Sequence, residues 1–326
     1  MTLNQTIDDY LTVIKLSRSP NTARTYQNAL KVFKQVLVQH AIDSAAASPA
    51  DLPEEAVAWM CDFLKNMAPT TERLYLTAVV NFFHYLSAEE LSSPNLPRLQ
   101  LIIRQRARRV GQRLPQFPKD NIETVIEYAI NLASGAEPDA TARLRNLRDR
   151  AFLITLADTG LRVHEACALR RSDVDWNEGK AIIIGKGDRQ AVIRFSTRAL
   201  TALRDYLRAR AALDGASGKQ LSSLPLFARH DKGAGKKVKH ITTATGRNIV
   251  SQRAAEALGS AAVGEITPHS FRHYFVTRVL NSTGNLKLAQ ELARHRNIAV
   301  TQRYAHLSND ELDRGYWSIF EEERKG

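Results

Sequence analysis

A mainly α protein with one small antiparallel β-sheet is the fold class this sequence predicts, and three observations carry it. Apolar residues recur at helical spacing through most of the 326 residues. The period changes to that of strands only around KAIII and RQAVIRF. Turn and capping residues stand where several of the periodic runs begin. Nothing repeats at solenoid spacing.

From the N-terminus, TIDDYLTVIKL, NTARTYQNALKVFKQVLVQH, PEEAVAWMCDFLKNM and TTERLYLTAVVNFFHYLSA each carry a helical apolar stripe, so residues 1–101 form a helical body. Ser19-Pro20-Asn21-Thr22 and Pro69-Thr70-Thr71-Glu72 supply turn residues and N-caps before two of these runs. Ser92 to Pro97 breaks the pattern, and Gly111, Pro115 and Pro118 interrupt the basic stretch after it, which places an interdomain linker at 102–118. The second body, 119–326, opens with a helix at about 120–133 and a loop, GAEPDATARL. RNLRDRAFLITLADTG then makes a long apolar helix with Gly160 as its C′ residue, and LRVHEACALRRSDV a second helix directly after it. Past Asn177-Glu178-Gly179, KAIII, a GKGD turn and RQAVIRF form a hairpin. Helix returns over TRALTALRDYLRARAAL, and a Gly/Ser/Lys-rich loop with a short LPLF strand leads to a helix capped near Thr242 or Thr243.

The chain holds 46 Lys and Arg against 34 Asp and Glu, a formal net charge of +12 with a pI of about 9.8. Such an excess favours a polyanionic partner, nucleic acid first. Its placement is uneven: residues 1–101 contain 8 basic and 10 acidic side chains, whereas 102–119 contain 6 basic and no acidic ones. A near-neutral first third, a cationic joint and a basic remainder suggest two bodies connected across something negative. The longest apolar run, AFLITLA at 151–157, is far too short to span a bilayer, and MTLNQTIDDYLTVIK carries acids in place of a basic-then-apolar leader. A cytoplasmic protein with no membrane partner is the expectation. Cys61 and Cys167 lie in apolar helical patterns and suit buried thiols.

Four stretches carry chemistry. In TPHSFRH, Thr267 as N-cap and Pro268 at N1 open a helix whose first turn sets His269 and Arg272 three apart on one face, beside unpaired N–H groups that attract an anion. In DTGLRVHEACAL, Arg162 stands at the start of a helix with Glu165 one turn on, a guanidinium fork with a carboxylate to orient it; His164 reads as structural. In IIIGKGDRQAVIRF, two glycines flank Lys186 at a hairpin tip, a strand–turn–strand setting unlike a phosphate-binding P-loop. In LARHRNIAVTQRYAHLS, His295 precedes Asn297, which caps a short helix carrying Tyr304. Each alone is more often a capped surface helix, an ion pair, an ordinary turn lysine or a core tyrosine.

In combination, the order R…K…HxxR…H…Y resembles the tyrosine recombinase (phage integrase) family of Xer-like and Cre-like site-specific recombinases, and the resemblance covers most of the chain. TGLRVHE is similar to the family's first-arginine box, GKGDRQ to its lysine hairpin and TPHSFRH to its HxxR box. His295 and Tyr304 fall where the family has its histidine or tryptophan and its nucleophile; Ala293-Arg294 stand where the family usually has Leu-Gly. The resemblance implies an N-terminal helical SAM-like core-binding domain at 1–101 and a mixed α/β catalytic domain at 119–326. It implies a DNA strand-exchange enzyme in which Tyr304 attacks a phosphodiester to leave a covalent 3′-phosphotyrosine. Arg162 and Arg272 then face the non-bridging oxygens, Glu165 accompanies Arg162, His269 handles the tyrosine proton, His295 bonds the phosphate and Lys186 protonates the leaving 5′ oxygen.

Nothing in this scheme calls for a metal or a nucleotide cofactor. Double-stranded DNA is the expected partner, with Arg104, Arg106, Arg108, Arg109 and Arg113 of the linker, and Lys232, Lys236, Lys237 and Lys239 of the later loop, as backbone contacts. By the same resemblance four protomers assemble on two sites, the apolar stripe Leu312, Tyr316, Trp317 and Phe320 docks on a neighbour, and the protein is nucleoid-associated. Two rivals share the residues: an enzyme like the type IB topoisomerases, and a DNA-binding module of the same fold without catalysis.

Overall fold

The computed structural model describes residues 1–108, 119–132, 134–135, 139–185, 189–231, 233, 237–295 and 297–302. The chain divides into two compact units, Met1–Arg113 and Leu114–Gly326.

The first unit is built from α1 (Leu3–Ser17), α2 (Pro20–Gln39), α3 (Glu55–Leu64), α4 (Pro69–Ala88) and α5 (Leu96–Arg106). Their starts are set by local chemistry: Ser19 caps α2 ahead of Pro20 by accepting from the Thr22 N–H, and Asn95 caps α5 by accepting from the Arg98 N–H. α4 begins on Pro69, but its N-cap, Ala68, has no side-chain acceptor. Phe33, Phe82 and Phe83 fill the centre of the bundle together with Leu3, Ile7, Leu30 and Leu37. The first residues of the expected linker belong to this unit, because α5 continues to Arg106 and packs Ile102 and Ile103 on the same core. Arg108 is drawn in as well. Its Nε lies 2.6 Å from the buried carboxylate of Glu72, and its Nη2 donates to the carbonyls of Leu64 and Met67.

The second unit contains α6 (Lys119–Asn131), α7 (Ala140–Thr159), α8 (Val163–Ala168), β1 (Val174–Asp175), β2 (Lys180–Gly185), β3 (Arg189–Arg194), α9 (Thr197–Ala209), α10 (Ala211–Gly215), α11 (Thr243–Leu258), α12 (Pro268–Thr283), α13 (Leu286–Ala293) and α14 (Ile298–Gln302). The sheet is antiparallel in the order β1-β2-β3, with Ile182 opposite Val192. Two expectations are corrected here. The second helix stops at Ala168, after which a 3₁₀ turn and β1 take up RSDV. LPLF makes an isolated bridge, Arg170 with Pro225, and Ala228 directly after it makes another with His240. α7 is sheathed on nearly every side, burying Phe152, Leu153, Ile154, Leu156 and Ala157 in one core with Phe227, Val250 and Phe271. Both cysteines are buried and free, and burial pushes each thiol up to about 11.

A buried cation holds the LPLF segment in place. Arg210, fully buried, donates to the carbonyls of Pro225 and Leu226 and to the Tyr206 hydroxyl. Its Nε lies 2.8 Å from Asp214 Oδ1, a Coulombic contact without hydrogen-bond alignment, while Arg171 donates to Asp214 Oδ2 at 2.7 Å. Removing the carboxylate strands a charge in the core. Asp214→Ala should therefore lower the unfolding free energy of this unit by about 3–5 kcal/mol. Denaturant titration checks this, and a midpoint equal to the wild type's would contradict it.

Candidate active site

α7 ends at Gly160, whose φ of +59° turns the chain sharply toward the next segment. A β-carbon there would lie 2.4 Å from the Phe275 ring, so packing and backbone both select glycine. Two residues on, Arg162 becomes the N-cap of α8. Its backbone N–H donates to Glu165 Oε2 at 2.8 Å and its Nη1 to Oε1 at 2.9 Å. Glu165 is buried, whereas 43% of the Arg162 side chain remains exposed. The carboxylate thus anchors one edge of a guanidinium that still faces outward.

α12 delivers the second group. Thr267 and Ser270 form a capping box around Pro268, which fixes the first turn. His269 on that turn is exposed, and Arg272 is only 3% exposed. Arg272 Nη1 donates to the Gly160 carbonyl at 2.5 Å, and its Nη2 donates to the carbonyl of Ala293 at the end of α13. One guanidinium therefore ties together the ends of α7, α12 and α13. His273 stands edge-on to His269, ring centres 4.5 Å apart.

After α13 the chain turns at Arg294 and reaches His295. The His295 backbone N–H donates to the Gln290 carbonyl, the Gln290 side chain returns a bond to the His295 carbonyl, and His295 Nδ1 shares a 2.9 Å hydrogen bond with buried Thr301. Asn297 caps α14, with its Oδ1 accepting from the Ala299 N–H. The backbone of His295 is thus held by Gln290 and its ring by Thr301.

The histidines carry the electrical signature of the cluster. Burial, then the Arg272 and Arg162 guanidiniums, pulls His295 down to about 4. Burial, then His269 and Arg272, pulls His273 down to about 4. His269 is lowered by desolvation, then by Arg272 and Arg162. Glu165 is the counterweight. Burial would raise its pKa, but the charge of Arg294 and the hydrogen bonds from Arg162 hold it below the usual carboxylate range. Arg162, Glu165, His269, Arg272 and His295 therefore share one field, in an arrangement that offers donors and positive charge to an anion. Among the described residues no group of three or more His, Cys, Asp or Glu side chains could hold a metal ion.

The family model described as "Phage integrase family" matches residues 118–311, and "Phage integrase, N-terminal SAM-like domain" matches residues 7–90. The chain belongs to the phage integrase family. It is 28% identical to the tyrosine recombinase XerC of Pediococcus pentosaceus over 98% of each chain. It is 30% identical to the tyrosine recombinase XerC of Pelobacter propionicus, over 90% of this chain and 87% of that one. A solved XerH site-specific recombinase bound to palindromic difH substrate, in a post-cleavage complex, shares the integrase fold with a TM-score of 0.67 and 20% identity, covering 90% of this chain and 79% of that one.

Tyr304, Lys186, Arg109, Arg113, Lys232 and Lys236 lie outside the described residues. Of the other expected DNA contacts, Arg104 is exposed in the last turn of α5 and Arg106 pairs with Asp62 at the surface. Arg108 is engaged more fully within the same unit, by Glu72 and by the Leu64 and Met67 carbonyls. Lys239 is exposed, and Lys237 is one wall of a 660 Å³ cavity it shares with Arg145, Arg229 and His230. Sequence reasoning passed over Thr301 and the side chain of Arg294. The only trace of the second was an arginine where the integrase pattern has glycine.

Gly160→Ala forces a β-carbon into Phe275 at a left-handed residue and should destabilise the unit by roughly 2–5 kcal/mol, measured by calorimetry. An unshifted transition would show that the turn tolerates a side chain. His273, His295 and His230, the last lowered to about 3 by burial and then the Arg148, Arg210 and Arg145 cations, bind protons less readily folded than unfolded. Stability should accordingly be full above pH 6.5, their ordinary value, and fall as the pH drops toward 4. Imidazole NMR titrations check it, and a His273 or His295 ring with its midpoint near 6.5 would refute the assignment.

Proposed function

We propose that this integrase-family protein is a site-specific tyrosine recombinase that breaks and rejoins double-stranded DNA through a 3′-phosphotyrosine and a Holliday junction. The observation that carries this is the convergence of Arg162, Arg272, His269 and His295, brought from three chain segments into one cationic field around Glu165.

The chemistry balances on this chain's own groups. The Tyr304 oxygen bonds to phosphorus as the bond from phosphorus to the 5′ oxygen breaks. A phenol is almost wholly protonated at neutral pH, so the proton has to leave as the bond forms. His269, kept toward its neutral form by desolvation and then by the Arg272 and Arg162 guanidiniums, is suited to accept it. Charge growing on the non-bridging oxygens meets Arg162 and Arg272, and His295 adds a hydrogen bond. Lys186 gives its proton to the departing 5′ oxygen. The 5′ hydroxyl of another strand then attacks the phosphotyrosine and releases the phenol. Bond energy is conserved in the phosphotyrosine, so rejoining needs no nucleotide cofactor.

The SAM-like match at 7–90 supports a recombinase over a type IB topoisomerase-like enzyme. The neutral histidines beside buried Arg272 support catalysis over a binding-only module, which gains nothing from them. We assign 1–101 to core binding, 102–118 to a basic connection whose first residues continue α5, and 119–326 to catalysis. Arg104, Arg106, Arg109, Arg113, Lys232, Lys236, Lys237 and Lys239 then supply backbone contacts of steep salt dependence. Four protomers assemble on paired sites, and the protein works at the nucleoid.

A DNA duplex nicked close to the cleavage point tests this, because the short leaving fragment diffuses away and traps the adduct. Wild-type protein should accumulate a covalent complex that Tyr304→Phe abolishes, and Arg162→Ala should slow it about 10²–10³-fold at saturating DNA. Tight binding by the wild type with no adduct would establish the binding module instead.

A further inference from the structure

Arg294 closes α13 in the left-handed region, at φ +57° and ψ +44°, where an arginine's β-carbon is crowded and a glycine would rest without strain. Its side chain is 12% exposed. Nη2 donates to Glu165 Oε2 at 3.0 Å and makes a longer contact, 3.4 Å, to the Gly160 carbonyl. Nε and Nη1 are buried, with no hydrogen-bond partner among the described residues. A strained backbone and two unsatisfied donors on a buried charge are both unfavourable, so ordinary packing does not account for this residue.

We propose that Arg294 is a positioning residue of the phosphate site, which holds Glu165 by its second oxygen and so keeps the guanidinium of Arg162 turned outward for the scissile phosphate. This rests on the recombinase function proposed for the same site.

The geometry gives the reason. Glu165 presents Oε1 to one N–H of Arg162, while Oε2 is shared by the Arg162 backbone N–H and Arg294. A carboxylate held at both oxygens cannot swing to grip Arg162 in the bidentate manner that Arg and carboxylate prefer. Arg162 is tethered by a single edge, and 43% of its side chain stays exposed. Without Arg294, Oε2 loses a charged partner, and Arg162 becomes the nearest cation able to replace it. Its fork would then turn inward, away from a bound anion. The charge of Arg294 is also the leading influence that offsets burial at Glu165, ahead of every contribution from Arg162.

The test compares wild type, Arg294→Gly, Arg294→Lys, Glu165→Gln and the Arg294→Gly/Glu165→Gln double variant. Each is measured for covalent-adduct formation on the nicked duplex, for half-saturating DNA concentration and for thermal midpoint. Glycine suits the backbone at 294, so Arg294→Gly should fold. At saturating DNA it should cleave about 10–100-fold more slowly, the scale of a misplaced catalytic group, with little change in half-saturation. Arg294→Lys, which retains a cation, should recover part of the rate. In the Glu165→Gln background, removing Arg294 should cost almost nothing further.

An equal loss in both backgrounds would mean that Arg294 acts on DNA directly, and would overturn the proposal. So would a loss that merely tracks a fallen thermal midpoint, or wild-type speed in Arg294→Gly. If the wild type itself forms no adduct, the recombinase function fails and this inference falls with it. If the wild type forms adduct and Arg294→Gly does so equally fast, this inference alone fails.

Discussion

At Gly160 the chain leaves α7 where a β-carbon would strike the Phe275 ring, and the carbonyl of this same residue receives the guanidiniums of Arg272 and Arg294. The left-handed turn does two things at once. It redirects the backbone so that Arg162 and Glu165 enter α8 beside the end of α13, and it exposes a carbonyl that a continuing helix would have bonded internally. Phe275, which leaves no room for anything but glycine, also packs on the small cluster of Val276, Leu280, Ala289 and Ala293 that joins α12 to α13. Site and local core therefore share one contact surface. A shift of α12 would move Arg272, open the Phe275 packing and release the Gly160 carbonyl together.

Gathering guanidiniums without an anion is unfavourable, and the structure shows how the strain is distributed. Glu165 supplies one buried negative charge between Arg162 and Arg294. Arg272 disperses its charge into two backbone carbonyls, which are dipoles and carry no counter-charge. Burial and then the remaining positive potential act on the histidines, which respond by staying neutral. Such a site is preorganised for an anion: the donors are already oriented, so they need little reorganisation when one arrives. Burial together with that potential keeps an imidazole in its basic form, the form a proton acceptor needs.

Much of this was legible in the chain because it is encoded locally. Thr267-Pro268 opening α12, Gly160 closing α7, Asn297 capping α14 and the strand period around β2 and β3 are all decided within a few residues. The site residues were legible as separate motifs, each with an ordinary structural alternative, and only their joint order pointed to phosphate chemistry. The features that escaped were decided at long range. RSDV has helical spacing, yet Val174 and Asp175 leave the helix to pair with Ala181 and Lys180. LPLF has strand composition, but Arg210 takes the carbonyls of Pro225 and Leu226 that a ladder would have used. Arg108 lies in a basic run and is captured by Glu72, 36 positions earlier. Arg294 looked like a departure from a pattern because no local rule says that its side chain will meet a glutamate 129 positions away.

The charge balance gains meaning from these captures. Arg148 and Arg253 with Asp149, Arg210 and Arg171 with Asp214, Arg198 with Asp158 and Arg108 with Glu72 are internal ion pairs. A one-to-one pair removes a cation and an anion equally, so the formal excess of +12 is undiminished by it and must reside on fewer, outward-facing groups. A carboxylate shared by two arginines, as Asp214 is, adds one positive charge beyond neutrality, which the Pro225 and Leu226 carbonyls solvate at Arg210, whereas at Asp149 the second arginine, Arg253, is balanced by Glu256. Affinity for a polyanion therefore depends on the unpaired remainder, while the paired arginines fix the helices that present it. Total basicity and DNA contact are thus separate properties of this sequence. The buried networks convert part of the first into rigidity and leave exposed cations, Arg104 among them, facing outward.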